Sequence, residues 1–112
     1  MTADRFAKTL KAPYYAVIFT NQRTVADDEG YDTTAGRMVE LAQTMPGFLG
    51  VETTRDETGF GITVSYWRDE QAIANWKANN EHISARQSGN EKWYEHYELR
   101  VAKIERAYDG PQ

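Results

Sequence analysis

The segment Phe60–Trp67 (FGITVSYW) constrains the fold more than any other part of the sequence. Its alternating pattern predicts a β-strand. One face carries the large side chains Phe60, Ile62, Val64 and Tyr66, and the other face ends in Trp67. A sheet with large side chains on both faces needs a packed layer against each of them. The fold therefore has to cover both faces of the sheet that contains this strand.

A second strand is predicted immediately before the first. Residues Phe48–Arg55 (FLGVETTR) alternate in the same way, and the four residues DETG that follow are typical of a tight turn. The two segments together predict an antiparallel hairpin.

The first half of the chain adds a strand and a helix. Residues 14–19 (YYAVIF) are aromatic and β-branched, which favours a buried strand. Apolar residues then recur at helical spacing over residues 31–45. The acidic residues 27–29 suit the start of this helix, and Pro46-Gly47 ends it.

The second half predicts another helix and a last strand. Asp69 is a suitable N-cap for a helix that buries Ala72, Ile73 and Trp76. The pair Asn79-Asn80 interrupts it, and one of the two caps a further segment over residues 81–87. Residues 97–108 alternate imperfectly, so a strand needs a bulge there, and a helix remains an alternative.

The resulting order is strand, helix, strand, strand, helix, strand. It predicts an α+β fold of the ferredoxin-like βαββαβ type, with a four-stranded antiparallel sheet and helices on one face. We expect a single domain over residues 1–112, with a short arm over residues 1–12 and a frayed tail over residues 109–112. Because the chain has no spare layer for the other face, we expect a homodimer in which two sheets pack face to face.

Composition excludes several classes of function. The chain has 112 residues, no cysteine and a formal charge of −4, from 13 Lys plus Arg against 17 Asp plus Glu. An acidic chain is a poor nucleic-acid binder, and the lack of cysteine excludes disulfides and thiolate metal sites. No apolar run approaches the roughly 20 residues that cross a membrane, and the first residues lack the continuous apolar stretch of a secretion signal. We therefore expect a cytoplasmic protein without a nucleic-acid or membrane partner.

Motifs for metal, phosphate or serine chemistry are absent from the sequence. The two histidines, His82 and His96, are fourteen residues apart and lack the spacing of a metal pair. No glycine-rich phosphate loop and no GxSxG motif occurs. We expect neither a metal nor an organic cofactor.

Three pieces of sequence together resemble the antibiotic biosynthesis monooxygenase (ABM) family. They are Pro46-Gly47-Phe48-Leu49-Gly50-Val51-Glu52, then Gly61-Ile62-Thr63-Val64-Ser65-Tyr66-Trp67, then the helix with Ala72, Ile73 and Trp76 followed by Glu81-His82. The similarity covers roughly residues 14–108, most of a single domain. It implies a dimeric α+β barrel of ferredoxin-like subunits. Several members of the family are small oxygenases that need neither metal nor flavin.

Other members of the family degrade haem, and this chain departs from their pattern. Those relatives use an Asn on the first strand, a Trp on the second helix and a His ligand ten residues later. Trp76 matches the Trp, but Arg86 stands where the His would be, and Ile18 corresponds to the Asn. Arginine has no acceptor and stays protonated, so it cannot ligate iron. Haem handling is therefore disfavoured.

His82 and Arg86 are the candidate catalytic residues. The resemblance implies that His82 is a general base, which removes a phenolic or enolic proton so that the anion reacts with dioxygen directly. Arg86 would hold an anionic substrate or the developing oxyanion. The structural alternatives are a His82 bonded to solvent or backbone, and a surface Arg86 paired with Glu81 or another acidic neighbour.

Five further residues are candidates for substrate binding: Trp67, Trp76, Tyr66, Asn80 and Met38. The tryptophans could stack on an aromatic substrate, and Tyr66 could offer a hydroxyl. Asn80 is a helix cap or a group that orients a substrate carbonyl. Met38 is a core residue or part of an adaptable pocket. Their alternative role in each case is structural.

An aromatic cluster near the last strand suggests a contact between subunits. It comprises Trp93, Tyr94 and Tyr97, beside His96. Aromatic residues are favoured at interfaces.

The leading hypothesis is a small cofactor-independent monooxygenase that acts on an aromatic or polyketide-like phenol. The alternative is a non-catalytic small-molecule-binding or stress-related dimer, and both hypotheses place the ligand in a pocket between the sheet and the helices.

Overall fold

The fold is a four-stranded antiparallel sheet with helices on one face, and the computed structural model describes residues 5–9 and 11–111. The elements are β1 (Tyr14–Arg23), α1 (Asp28–Gln43), β2 (Phe48–Arg55), β3 (Phe60–Trp67), α2 (Glu70–Ala78), α3 (Asn80–Ser88), a π-helical turn (Gly89–Trp93) and β4 (Tyr94–Ile104). The strand order is β2-β3-β1-β4. The predicted ferredoxin-like arrangement is confirmed, and so are the bounds of the hairpin strands β2 and β3.

The strand register separates two faces of the sheet. Trp67 pairs with Tyr15 of β1 and Phe48 of β2, and its ring contacts Trp76 of α2. Residues that share this orientation form the helix face. Tyr66 and the residues in register with it form the second face, since successive side chains of a strand point to opposite sides.

β1 is four residues longer than its apolar stretch predicts. It continues through the polar residues Thr20 to Arg23, which pair with β3 up to Gln22 and with the beginning of β4. α1 then begins at Asp28, three residues earlier than predicted from Tyr31, with Asp27 as its N-cap. Backbone pairing on both sides thus outweighs the polar composition of this segment.

β4 is a strand, and its irregularity lies at its start. The expected bulge within residues 97–108 is misplaced, because the register shifts between Gln22 and Arg23, opposite His96 and Tyr94. From Tyr97 to Ile104 the pairing is regular. The apolar residues at alternate positions of β4 therefore lie on opposite faces of the sheet.

The break between α2 and α3 is confirmed, and Asn79 is the residue that caps the new helix. Asn79 has extended backbone, and its side-chain Oδ1 accepts a hydrogen bond from the backbone N–H of His82. Asn80 is therefore not the cap and is exposed in the first turn of α3.

The arm covers part of the second face. The N–H of Ala7 donates to Glu52 Oε2 over 2.9 Å, and the hydroxyl of Tyr66 donates to Glu52 Oε1 over 2.6 Å. Ala7 also lies so close to Gly50 that a Cβ there would be 2.8 Å from the Ala7 Cβ. Of the predicted arm over residues 1–12, residues 1–4 and 10 lie outside the described part.

Beyond the arm, the second face leaves apolar surface accessible. Ile18, Ile62 and Val64 are half-buried, and Phe60 is exposed. None of the helices in the described ranges has the length and apolar character needed to cross a bilayer.

Gly47 joins the end of α1 to the sheet and to α2. Its φ is +88°, and its carbonyl accepts a hydrogen bond from the N–H of Arg68 over 2.8 Å. A Cβ at this position would lie 2.6 Å from the Cβ of Ala72. This close approach holds Phe48 beside Trp67. The two rings make an edge-to-face contact, with 5.2 Å between their centroids.

We expect Gly47→Ala to lower the free energy of unfolding by about 2–3 kcal/mol, since it combines a left-handed residue with a clash. Gly36→Ala is the matched control, because it lies within α1 with no atom within 4 Å of a new Cβ. That change should raise stability by about 0.5–1 kcal/mol. Urea denaturation measures both, and equal effects would contradict the role of Gly47.

Candidate functional site

Four aromatic rings connect the sheet to α3. Trp67 is 0% exposed and contacts Trp76 at a centroid distance of 5.9 Å. The imidazole of His82 stacks on Trp76 at 4.1 Å, with 15° between the planes. Phe48 closes the row on the other side of Trp67. The structure thus brings together three predicted site residues: Trp67, Trp76 and His82.

A hydrogen bond fixes the tautomer of His82. Its Nδ1 lies 2.9 Å from the carbonyl oxygen of Trp76. A carbonyl only accepts, so Nδ1 carries the proton and donates it. In the neutral ring Nε2 then has a lone pair, and it has no hydrogen-bond partner within the described residues. This arrangement presents Nε2 as a base.

The surroundings of His82 keep the ring neutral. Burial lowers the pKa of His82 below its ordinary value of 6.5, and the charge of Arg86 lowers it further. The hydrogen bond to the Trp76 carbonyl opposes the shift without cancelling it. A neutral imidazole at pH 7 is able to accept a proton.

Arg86 is less well placed than His82. Its side chain is exposed, and its Nη2 donates to the Lys77 carbonyl over 3.4 Å. The expected alternative of an Arg86–Glu81 pair is wrong, because Glu81 forms a two-bond ion pair with Arg37 of α1, with distances of 2.9 and 2.8 Å. A role for Arg86 in holding an anion stays a prediction.

Met38 and Asn80 do not belong to the aromatic row. Met38 is half-buried and lines a groove of about 280 Å³ between α1 and α3, together with Arg37 and Glu81. Asn80 is exposed. Their assignment to substrate binding stays a prediction.

Tyr66 and Ile18 lie on the second face, away from His82. Burial and the neighbouring Glu52 carboxylate raise the pKa of Tyr66, so its hydroxyl remains a donor. Ile18, in register with Val64, does not face the helices. The sheet therefore lies between Tyr66 and His82, which were predicted to share one site.

An apolar floor lies below the α2–α3 connection. This connection joins β3 to β4, which flank β1, so it crosses the helix face above β1. On that face Val17 pairs with Val101, and Phe19 pairs with Leu99. Leu99 is 54% exposed and Val101 is 48% exposed. These four residues, the cleft floor, form an apolar surface on the helix face that extends to the edge strand β4.

A polar and aromatic group ends the cleft floor near the start of α1. Phe19 contacts the rings of Tyr94 and Tyr97 at 5.2 and 5.3 Å, and Tyr31 contacts Tyr94 at 6.0 Å. Asn21, which is 2% exposed, shares this face. Asn21 could not be predicted from the apolar stretch of β1, because that stretch ends at Phe19.

The aromatic cluster near β4 is used within the chain. Trp93 is buried, contacts Tyr31 at 5.8 Å and donates its indole N–H to Asp27 Oδ2 over 3.3 Å. A role for Trp93 at a subunit contact is therefore wrong. His96 lies on the second face, where it pairs with Glu98 at 2.6 Å.

Residues 5–9 and 11–111 bring together no group of three or more His, Asp or Glu side chains that could hold a metal ion.

Comparison with known sequences identifies a family and two similar proteins. The family described as antibiotic biosynthesis monooxygenase matches residues 15–88. The protein YqjZ of Bacillus subtilis, which is uncharacterised, is 50% identical over 103 residues, covering 92% of this chain and 90% of YqjZ. The jasmonate monooxygenase of Pyricularia oryzae is 28% identical over 94 residues, which cover 80% of this chain and 43% of that enzyme.

Solved structures share the fold at low sequence identity. SnoaB from Streptomyces nogalater, a cofactor-independent oxygenase, superposes with a TM-score of 0.72 and 11% identity, over 86% of this chain and 97% of SnoaB. Rv0793 from Mycobacterium tuberculosis gives a TM-score of 0.72 and 14% identity, over 87% of this chain and all of that chain.

We expect the His82 ring to titrate below pH 6.5 and to carry its neutral-state proton on Nδ1. NMR titration of the ring signals measures both, with His82→Gln for assignment. Because the folded state lowers this pKa, its stabilising contribution is present above pH 6.5 and is lost as the pH falls through the folded pKa. A pKa above 6.5 or a neutral ring protonated at Nε2 would contradict the geometry.

Proposed function

Because this chain belongs to the antibiotic biosynthesis monooxygenase family, we propose that it is a cofactor-independent monooxygenase of a small aromatic or polyketide-like phenol. The observation that carries the proposal is the His82 site. Its Nδ1 is held by the Trp76 carbonyl, its Nε2 lone pair is without a protein partner among the described residues, and its pKa is lowered.

The chemistry begins with removal of a proton by His82 Nε2. A phenol or an enolised anthrone loses its acidic proton to the imidazole and becomes an electron-rich anion. The anion transfers electrons to dioxygen and forms a carbon–oxygen bond. For an anthrone, the CH₂ carbon becomes a carbonyl, one oxygen atom stays in the product and the other leaves as water. The apolar cleft floor suits a flat aromatic substrate.

The names of two similar proteins support the reaction class. One is a jasmonate monooxygenase, and the other is a cofactor-independent oxygenase. The phenolic substrate is inferred from the aromatic row and the base of this chain.

A second candidate is binding without catalysis. The exposure of Arg86, and its single long hydrogen bond to a backbone carbonyl, favour this alternative. A cleft that has one base and an apolar floor suits a carrier of a small apolar molecule as well as an enzyme.

The test is oxygen-dependent turnover of an anthrone and hydroquinone panel. We expect His82→Ala to lower the rate by about 100-fold or more, as is typical of a lost general base. Asn75→Ala is the control, because Asn75 is exposed on α2 and its side chain bonds only to Gln71. Unchanged activity in His82→Ala with the fold intact would exclude the base role. Binding without turnover by the unmodified chain would favour the carrier.

The second face supports a homodimer. It carries Ile18, Ile62 and Val64, half-buried beside the exposed Phe60. Packing this surface against its copy would remove it from water, which favours association.

We expect light scattering to give twice the mass of one chain. Val64→Lys, which places a charge in the middle of the second face, should yield a monomer. Val25→Lys is the control, because Val25 is 95% exposed in the turn before α1. A monomeric unmodified chain, or a dimer that Val64→Lys leaves intact, would exclude this interface.

A further inference from the structure

The strand β4 lies at one edge of the sheet, and only one of its two sides is paired. It comes last in the order β2-β3-β1-β4, and among the described residues it pairs with β1 alone. It is 11 residues long, and residues 95–101 are all exposed. From Tyr97 to Ile104 its pairing with β1 is regular, and it contains no proline. A long, regular edge of this kind presents backbone N–H and C=O groups that another strand can bind.

The charges of β4 are arranged about Leu99 with opposite signs on the two sides. Glu98 precedes Leu99, and Arg100 follows it. Further out, Glu95 lies on the first side and Lys103 on the other, each four residues from Leu99. An antiparallel second copy of the strand, centred on Leu99, therefore places Glu98 opposite the copy's Arg100. The same register brings Glu95 near the copy's Lys103. Opposite charges that face each other across two strands stabilise the pair.

Other registers pair the strand with its copy less well. A copy centred on Glu98 or on Arg100 sets that charge against itself, and like charges directly opposite each other destabilise a pair of strands. A copy centred on Val101 sets the apolar Leu99 against the charged Lys103. The pattern of side chains thus selects the register centred on Leu99.

The selected register also brings exposed apolar side chains together on the helix face. Leu99 lies opposite its own copy, and Val101 lies opposite the copy's Tyr97. These side chains are 54%, 48% and 39% exposed in the single chain. Leu99 and Val101 belong to the cleft floor, so pairing joins the cleft floors of two chains into one apolar surface. Removal of this surface from water favours association.

The charges that would form the new pairs are available. Within the described residues, Arg100 and Lys103 have no ion pair. Glu98 bonds to His96 through Oε2 alone, at an exposed position. Its other carboxylate oxygen is therefore able to accept from an arginine of the second copy.

We propose that β4 is a self-pairing edge, at which a second copy of this chain joins antiparallel and extends the four-stranded sheet into one continuous sheet. The contact uses the edge of the sheet and leaves the second face accessible, so it is separate from the face-to-face homodimer and compatible with it. One pair of strands is smaller than a standard interface, which buries about 1,600 Å². We therefore expect the edge contact to form at higher protein concentration than the homodimer.

Disulfide cross-linking tests the register directly, because the chain contains no cysteine of its own. Paired Cα atoms of antiparallel strands are about 4.5–5.5 Å apart, a distance that a disulfide spans. Leu99→Cys should therefore cross-link to its own copy under mild oxidation. Val101→Cys is the matched control, because it has similar exposure on the same face, and its copy would lie about 14 Å away. The yield of covalent dimer should be about tenfold or more higher for Leu99→Cys.

A mixture of two variants tests the same register from a different pair of positions. Val101→Cys and Tyr97→Cys chains should each fail to cross-link alone and should cross-link when mixed, because the register places these positions opposite each other. Equal yields from Leu99→Cys and Val101→Cys overturn the proposal, and so does a mixture that gives no covalent dimer.

Charge reversal separates specific pairing from random collision. In the Leu99→Cys chain, Glu98→Arg or Arg100→Glu sets like charges opposite each other and should lower the cross-linking yield by about fivefold or more. The chain that carries both reversals should recover the yield, since opposite charges face each other again. Glu57→Arg is the control with the same charge change as Glu98→Arg, at an exposed position of the hairpin turn. A double reversal that does not recover the yield overturns the proposal.

The cross-link reports the edge contact alone. Position 99 lies on the helix face, so two cysteines there do not meet in a dimer that packs second face against second face. A chain that is a dimer by light scattering and does not cross-link at position 99 would refute the edge contact and leave the homodimer intact. Cross-linking that persists when Val64→Lys is added would support an edge contact independent of the homodimer.

Discussion

The burial of Trp67 is the contact on which the rest of the structure depends. Its ring lies where the end of β3, the beginning of β2 and α2 meet, with Phe48 on one side and Trp76 on the other. Gly47 permits this meeting, because its lack of a Cβ lets α2 approach the chain between α1 and β2. The sequence motif around Pro46-Gly47-Phe48 is thus a packing motif. It acts on the site by holding the surface on which His82 stacks.

Local patterns predicted the elements whose signals are self-contained. The hairpin has two alternating strands joined by a short polar turn, and it was predicted correctly. The start of α2 was also predicted correctly, because Asp69 caps it with its own side chain. The end of β1 was not, because residues 20–23 are polar and become a strand only by pairing with distant segments. Asn21 was therefore not predicted as part of the strand, although it lies on the same face of β1 as Val17 and Phe19.

The candidate site was only partly predictable for the same reason. Trp76 and His82 meet because Asn79 ends one helix and caps the next, and a break of this kind can be recognised in sequence. Tyr66 was grouped with them because it could offer a hydroxyl to a substrate. It directly precedes Trp67 on β3, however, and adjacent residues of a strand face opposite sides of the sheet. Whether Arg86 reaches a ligand depends on side-chain direction at an exposed position, which neither spacing nor residue type determines.

The carbonyl of Trp76 has a consequence for the proton that His82 would accept. It lies in the last turn of α2 and also receives the N–H of Asn79, so it belongs to the helix end that carries partial negative charge. A protonated imidazole would strengthen its bond to this carbonyl. If His82 acts as the proposed base, this carbonyl would take the part that a carboxylate plays in a catalytic triad. No acidic side chain is then required behind the histidine, and the counter-charge cannot itself be neutralised by acid.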